Sequence, residues 1–247
     1  MKKHIVLSLF FILCCPLFAS FAQDKITVAV AANFIEPFKE IVVLFETNTH
    51  IQAEPRFSST GKLFAQITQG APYDVFLSAD EKRPEELYQK GLSGKPVVYA
   101  KGEVVLWTAR KDLCDAGDWK IVLARGDVKK IAIANTETAP YGTASMKALK
   151  NVGLWDRLQA KFVFPQDIAQ AFQYASTGSV DAGFCALSSA LSQHGKAGCY
   201  LAVKEAPGVV QAGCVLNRTG QKAASEKFAA FLLSAEADKV KKKYGYK

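Results

Sequence analysis

Apolar positions along this chain keep two alternating rhythms. Residues 25–31 alternate and are rich in β-branched side chains, after which Phe34, Phe38, Ile41, Val42 and Phe45 return at helical spacing through 34–47. A period of two passing into a period near 3.6 predicts a strand running into a helix. The unit repeats over 51–57 and 61–69, and again over 74–79 and 81–90, where Gly91 supplies the stop. Three consecutive strand–helix units predict a parallel, doubly wound sheet.

Residues 97–109 are longer and strand-like, interrupted at Gly102, which suits a segment leaving one domain for another. A second series follows: strands at 131–135, 162–164 and 181–186, with helices at 142–150, ending near Gly153, and at 167–175. An extended stretch at 209–216 precedes closing helices at 221–234 and 235–244. With 97–109 and 209–216 as two crossings, lobe 1 takes 23–104 and 217–247, and lobe 2 takes 105–216. The predicted fold class is α/β, two lobes that each carry a doubly wound sheet flanked by helices, joined by two crossing strands and able to hinge.

Four strand-to-helix turns are built from small, hydrogen-bonding residues: Ala31-Ala32-Asn33-Phe34, Ser58-Ser59-Thr60-Gly61, Pro140-Tyr141-Gly142-Thr143 and Pro165-Gln166-Asp167-Ile168. A helix start exposes unpaired N–H groups and the positive end of its dipole, so four that converge make a socket for an anion. None of the four carries Lys or Arg. Neutral donors suit a small dehydrated oxyanion better than a long polyanion on a surface.

Composition narrows the alternatives. Lys2 and Lys3, the apolar run 5–13 and Ser20-Phe21-Ala22 read as an export signal over 1–22, whose removal leaves 225 residues. Cys14 and Cys15 follow Leu13 rather than a small residue, so lipid attachment is not expected. Apolar residues at 49% and charged residues at 22% supply an ordinary globular core and exclude disorder. The formal charge of +8 falls to +6 without Lys2 and Lys3 and is concentrated only at Lys241-Lys242-Lys243, a solvated helix face rather than a nucleic-acid stripe. Four cysteines remain, Cys114, Cys185, Cys199 and Cys214; without a C-x-x-C they allow three full disulfide pairings. His50 and His194 sit near no recognisable nucleophile motif, no Walker loop is present, and Asp74, Asp80 and Glu81 read as turn and first-turn acids, so neither catalysis nor a metal is expected.

The runs Val28-Ala29-Val30-Ala31-Ala32-Asn33-Phe34 and Ser58-Ser59-Thr60-Gly61, the phrase Gly70-Ala71-Pro72-Tyr73-Asp74-Val75-Phe76-Leu77-Ser78-Ala79-Asp80, the turn Ala139-Pro140-Tyr141-Gly142 and the ending Tyr244-Gly245-Tyr246 together resemble the periplasmic molybdate-binding proteins of ABC importers. The resemblance implies a hinged, two-lobed monomer in the periplasm that captures molybdate or tungstate between its lobes. It would deliver the oxyanion to the transmembrane subunits of an importer, with no cofactor and no metal beyond the ligand's own. By motif, the oxyanion donors fall at Asn33 with Ala32 beside it, at Thr60 ahead of Ser59 by register, and at the backbone amides of Tyr141 and Ile168. Some members add a tyrosine hydroxyl where this chain has Ala186. Another tetrahedral oxyanion such as sulfate or thiosulfate is the alternative ligand, and an exported hydrolase the alternative class. Local roles stay open beside these: Asn33 with Glu36 also reads as a capping box, Ser58-Ser59-Thr60 as an ordinary cap, and Asp167 as the cap of its own helix.

Overall fold

The computed structural model describes residues 24–247; the expected signal segment, with Cys14 and Cys15, lies outside them. Strand β1 (Lys25–Ala31) passes through a short 3-10 turn at Ala32–Phe34 into helix α1 (Ile35–Thr49). Then follow β2 (Gln52–Ser58), α2 (Thr60–Thr68), β3 (Val75–Leu77) and α3 (Lys82–Gln89). β1 pairs parallel with β2, from Lys25 opposite Gln52 to Ala31 opposite Ser58, and parallel with β3 on its other side. The three units therefore build one sheet with all three helices leaving from the same edge.

The stretch at 97–109 is two strands, β4 (Val97–Gly102) and β5 (Val104–Thr108), parted at Glu103 and placed in different sheets. Beyond it come α4 (Lys111–Cys114), α5 (Trp119–Ala124), β6 (Ile131–Ala132), α6 (Pro140–Asn151), α7 (Trp155–Leu158) and β7 (Phe162–Val163). The second lobe ends with α8 (Ile168–Ser176), β8 (Ala182–Ala186), α9 (Leu187–Ala190) and β9 (Cys199–Ala202). Its sheet has the order β7-β6-β8-β5-β9, parallel across β7, β6 and β8, with β5 antiparallel to both its neighbours.

The chain returns through β10 (Val209–Val215) to α10 (Lys222–Leu232) and α11 (Ala235–Lys243). β10 lies antiparallel between β3 and β4, giving the order β2-β1-β3-β10-β4. The sequence reading assigned 209–216 to the second lobe; hydrogen bonding assigns β10 to the first sheet, and the chain recrosses before it, over 203–208. Without β10, the facing edges of β3 and β4 would be left with unpaired N–H and C=O groups inside the lobe. The last residue joins the same sheet, with Lys101 N donating to Lys247 O at 2.7 Å and Lys247 N to Lys101 O at 3.0 Å.

Each sheet is covered on both faces. Phe34 of the 3-10 turn and Phe38, Ile41 and Phe45 of α1 pack with Phe228, Leu232 and Val240 on one side of the first sheet, while Leu63, Ile67, Phe76 and Leu87 fill the other. Trp107, Trp119, Leu149 and Phe184 lead the core of the second lobe. No helix among the described residues is long and apolar enough to cross a membrane.

None of the three full pairings forms: Cys114–Cys199 is bridged, clipping α4 to β9, while Cys185 and Cys214 are buried free thiols. Burial pushes the Cys214 thiol up to about 11 and Cys185 further still, so neither is a ready thiolate. The bridge closes a loop of 85 residues. Cys114→Ser is expected to destabilise the protein by about 2–4 kcal/mol and to lower its Tm by roughly 5–15 °C in calorimetry. A Tm unchanged by the substitution, or by reductant on the parent, would show that the bridge contributes nothing.

Candidate functional site

The four turns singled out in the sequence meet at one cavity. Its wall is Ala31, Ala32 and Asn33 after β1, Ser59 and Thr60 after β2, Ala139, Pro140 and Tyr141 at the start of α6, and Asp167 and Ile168 at the start of α8, with Ala79 between. Parallel strands place their C-terminal ends, and hence the helices that follow, along one sheet edge, and the two lobes set those edges face to face.

Ser59 is the residue that stands apart. Its Oγ is the one buried side-chain nitrogen or oxygen among the described residues without a hydrogen-bond partner, although the residue is only 2% exposed. It occupies the N-cap position of α2 yet its hydroxyl makes no capping bond. An orphaned buried hydroxyl carries a desolvation cost that a ligand acceptor would relieve. Thr60, ranked ahead of Ser59 by register, has its Oγ1 engaged as acceptor from the Ala79 N–H at 3.0 Å, which leaves its own hydrogen to donate.

Asn33 does not form the capping box that its spacing to Glu36 allowed. It sits inside the 3-10 turn, α1 begins at Ile35 without a side-chain cap, and Glu36 pairs with Lys39 at 3.0 Å. The Asn33 amide instead directs one hydrogen to Gln211 Oε1 at 2.7 Å and the other to the Tyr246 hydroxyl at 3.0 Å. Both amide hydrogens are engaged within the protein, so the side chain braces the turn. Sequence reasoning assigned Asn33 to the site but missed Gln211 and Tyr246; the Tyr244-Gly245-Tyr246 ending was the one available signal.

Tyr141 follows Pro140, which takes the first position of α6, where a missing N–H costs nothing. The ring is buried, and its hydroxyl accepts from Gln211 Nε2 at 3.2 Å, behind the cavity wall. Ala186, the expected departure from the tyrosine-bearing pattern, is fully buried at the end of β8 opposite Val104. Asp167 turns its carboxylate back on its own helix, accepting from Gln170 N at 2.9 Å, which leaves the Ile168 end of α8 facing the cavity. No Lys or Arg lines the cavity, and no group of three His, Cys, Asp or Glu among the described residues can hold a metal.

The lobes touch around this point. Gly61 N donates to Thr138 O at 2.8 Å, Arg83 Nη2 to Glu137 O at 3.0 Å, and Gln166 Nε2 to Ser58 Oγ at 3.2 Å. Gly61 is required by the first of these: a Cβ there would stand 2.9 Å from Thr138 Cα. The phenols of Tyr99, Tyr141 and Tyr246 are all raised above their ordinary 10.0 by burial, so the polar groups behind the cavity are neutral.

Comparison with known proteins agrees with this geometry. The profile of the family described as bacterial extracellular solute-binding protein matches residues 26–247. The molybdate-binding protein of Rhodobacter capsulatus is 36% identical over 228 residues, 91% of this chain and 89% of the relative. That of Azotobacter vinelandii is 36% identical over 227 residues, 90% and 89% of the two chains. A solved structure of the Azotobacter vinelandii periplasmic molybdate-binding protein superposes with a TM-score of 0.85 at 33% identity, covering 90% of this chain and 98% of the other. The sulfate-binding protein SubI of Mycobacterium tuberculosis has the same fold, with a TM-score of 0.74 at 14% identity over 90% and 86% of the chains. With two lobes, a cavity between them and a match across nearly its whole described length, the chain belongs to the bacterial extracellular solute-binding proteins.

Proposed function

We propose that this protein captures molybdate or tungstate in the cavity between its lobes and hands it to the transmembrane subunits of an ABC importer, outside the cytoplasm, after removal of a signal segment at 1–22. The observation that carries the reading is the unpartnered Ser59 hydroxyl in a cation-free cavity made of helix starts. In this reading the hydroxyls of Ser59 and Thr60 and the backbone N–H groups of Asn33, Tyr141 and Ile168 surround the oxyanion, with Ala32 packed beside it. Similarity to molybdate-binding relatives supports the choice of ligand.

The energetics are sufficient. Each hydrogen bond to a charged acceptor contributes roughly 1.5–3 kcal/mol. The five named donors give ~7–15 kcal/mol before desolvation and closure are subtracted, against about 8–12 kcal/mol for micromolar to nanomolar affinity. Selection against smaller oxyanions follows from fixed geometry, because each buried donor left unmet costs about 1–3 kcal/mol.

Calorimetric titration with molybdate, tungstate, sulfate and phosphate tests the reading. Molybdate and tungstate should bind and raise Tm with concentration; preference for sulfate or phosphate, or binding of none, overturns it. Ser59→Ala should leave the Tm of ligand-free protein unchanged or slightly higher, since it removes an unsatisfied group, while molybdate affinity falls about 10–100-fold. Unchanged affinity in that variant would remove Ser59 from the site.

Affinity should also be flat between about pH 6 and 9, because the proposed donors do not titrate there. Folding raises the three buried phenol pKa values above 10.0. Their contribution to stability is therefore complete below about pH 10 and is lost as pH climbs through the folded-state values. Thermal melts and titrations across that range check both, and a steep loss of affinity below about pH 9 would reveal a titrating contact.

A further inference from the structure

Behind the cavity runs a hydrogen-bonded chain that joins the lobes and touches no solvent. Gln211, fully buried in β10, accepts from Asn33 Nδ2 at 2.7 Å and from the Tyr99 hydroxyl at 3.0 Å, and its Nε2 donates to the Tyr141 hydroxyl at 3.2 Å. Tyr246, the residue before the last, brings its hydroxyl to 2.8 Å from the Asn33 carbonyl oxygen, 3.0 Å from its Nδ2 and 3.1 Å from Ser188 Oγ. Ser188, from the other lobe, donates to the same Asn33 carbonyl at 2.8 Å. The backbone is shaped around the cluster, because a Cβ at Gly102 would lie 2.0 Å from the Tyr141 hydroxyl and 2.9 Å from Gln211 Nε2.

We propose that Gln211 and Tyr246 are positioning residues: they fix the Asn33 turn of one lobe and the Tyr141 turn of the other at the separation a single oxyanion radius requires, and so set both affinity and anion selectivity. This rests on the oxyanion reading of the cavity. Each of the two turns is held by a buried, hydrogen-bonded amide or phenol, and one residue, Gln211, holds both. Slack in either link lets the donors relax inward around a smaller anion, which weakens the fit to the larger one and strengthens the fit to its competitor. Selectivity is the property that separates positioning from mere stabilisation.

The test compares the parent with Gln211→Met, Tyr246→Phe and Tyr99→Phe by calorimetric titration with molybdate and with sulfate, alongside ligand-free Tm. Tyr99 is the control, since its hydroxyl reaches Gln211 and the Ser78 carbonyl but neither turn. Gln211→Met and Tyr246→Phe should lose about tenfold or more in molybdate affinity and narrow the molybdate-to-sulfate ratio by roughly threefold or more. Tyr99→Phe should lower Tm while keeping both. Unmoved affinity and ratio in Tyr246→Phe, or a Tyr99→Phe ratio that moves as far, overturns the positioning role, and if Gln211→Met does not fold, Tyr246→Phe alone decides. A parent that binds neither anion is instead the failure of the oxyanion reading, recognisable because no variant is needed to see it.

Discussion

A buried anion site without a cation depends on dipoles that are already in place before the ligand arrives. Side chains of Lys or Arg can follow an anion; backbone N–H groups at a helix start cannot, so their position is decided by the strands that feed the helices. Here β1 and β2 deliver two turns from one sheet, and the segments after β6 and β7 deliver two from the other. Parallel pairing is what makes this work, because antiparallel neighbours would send alternate helix starts to opposite edges. The strands that run antiparallel, β5 and β10, are those next to the lobe crossings, and neither feeds a turn of the cavity.

The two halves of the socket are then joined by contacts of two kinds. At the rim, Gly61 with Thr138 and Arg83 with Glu137 are bonds to backbone carbonyls, with water near enough to replace them. At the back, Asn33, Gln211, Tyr141, Tyr246 and Ser188 satisfy one another where water does not reach. Opening the rim exchanges protein partners for solvent at little cost, whereas parting the back would strand several polar groups at once. An opening of the lobes would therefore turn about an axis near the back cluster and the two crossing segments, at Glu103 and over 203–208.

Much of this was legible in the sequence, because periodicity and turn chemistry are local. The strand–helix units, the four turns and Asp167 as a cap required only neighbouring residues to be read. What stayed hidden was non-local. The place of β10 between β3 and β4 depends on pairing partners more than a hundred residues away, so 209–216 was assigned to the wrong side of the crossing. Register ranked Thr60 ahead of Ser59, but it could not show the Ala79 N–H that occupies the Thr60 hydroxyl and leaves the Ser59 hydroxyl without a partner. Asn33 carried a local cap signature that lost to the longer-range partners Gln211 and Tyr246. The single bridge Cys114–Cys199 was one of several arrangements that spacing permitted.

The segment after α11 ties the first sheet to the wall of the cavity. Lys247 completes the edge of the first sheet by pairing with Lys101, and Tyr246 closes the polar cluster behind Asn33. The first lobe thus gathers chain from both sides of the second, so its sheet and the cluster behind Asn33 close only through contacts that span nearly the whole described length.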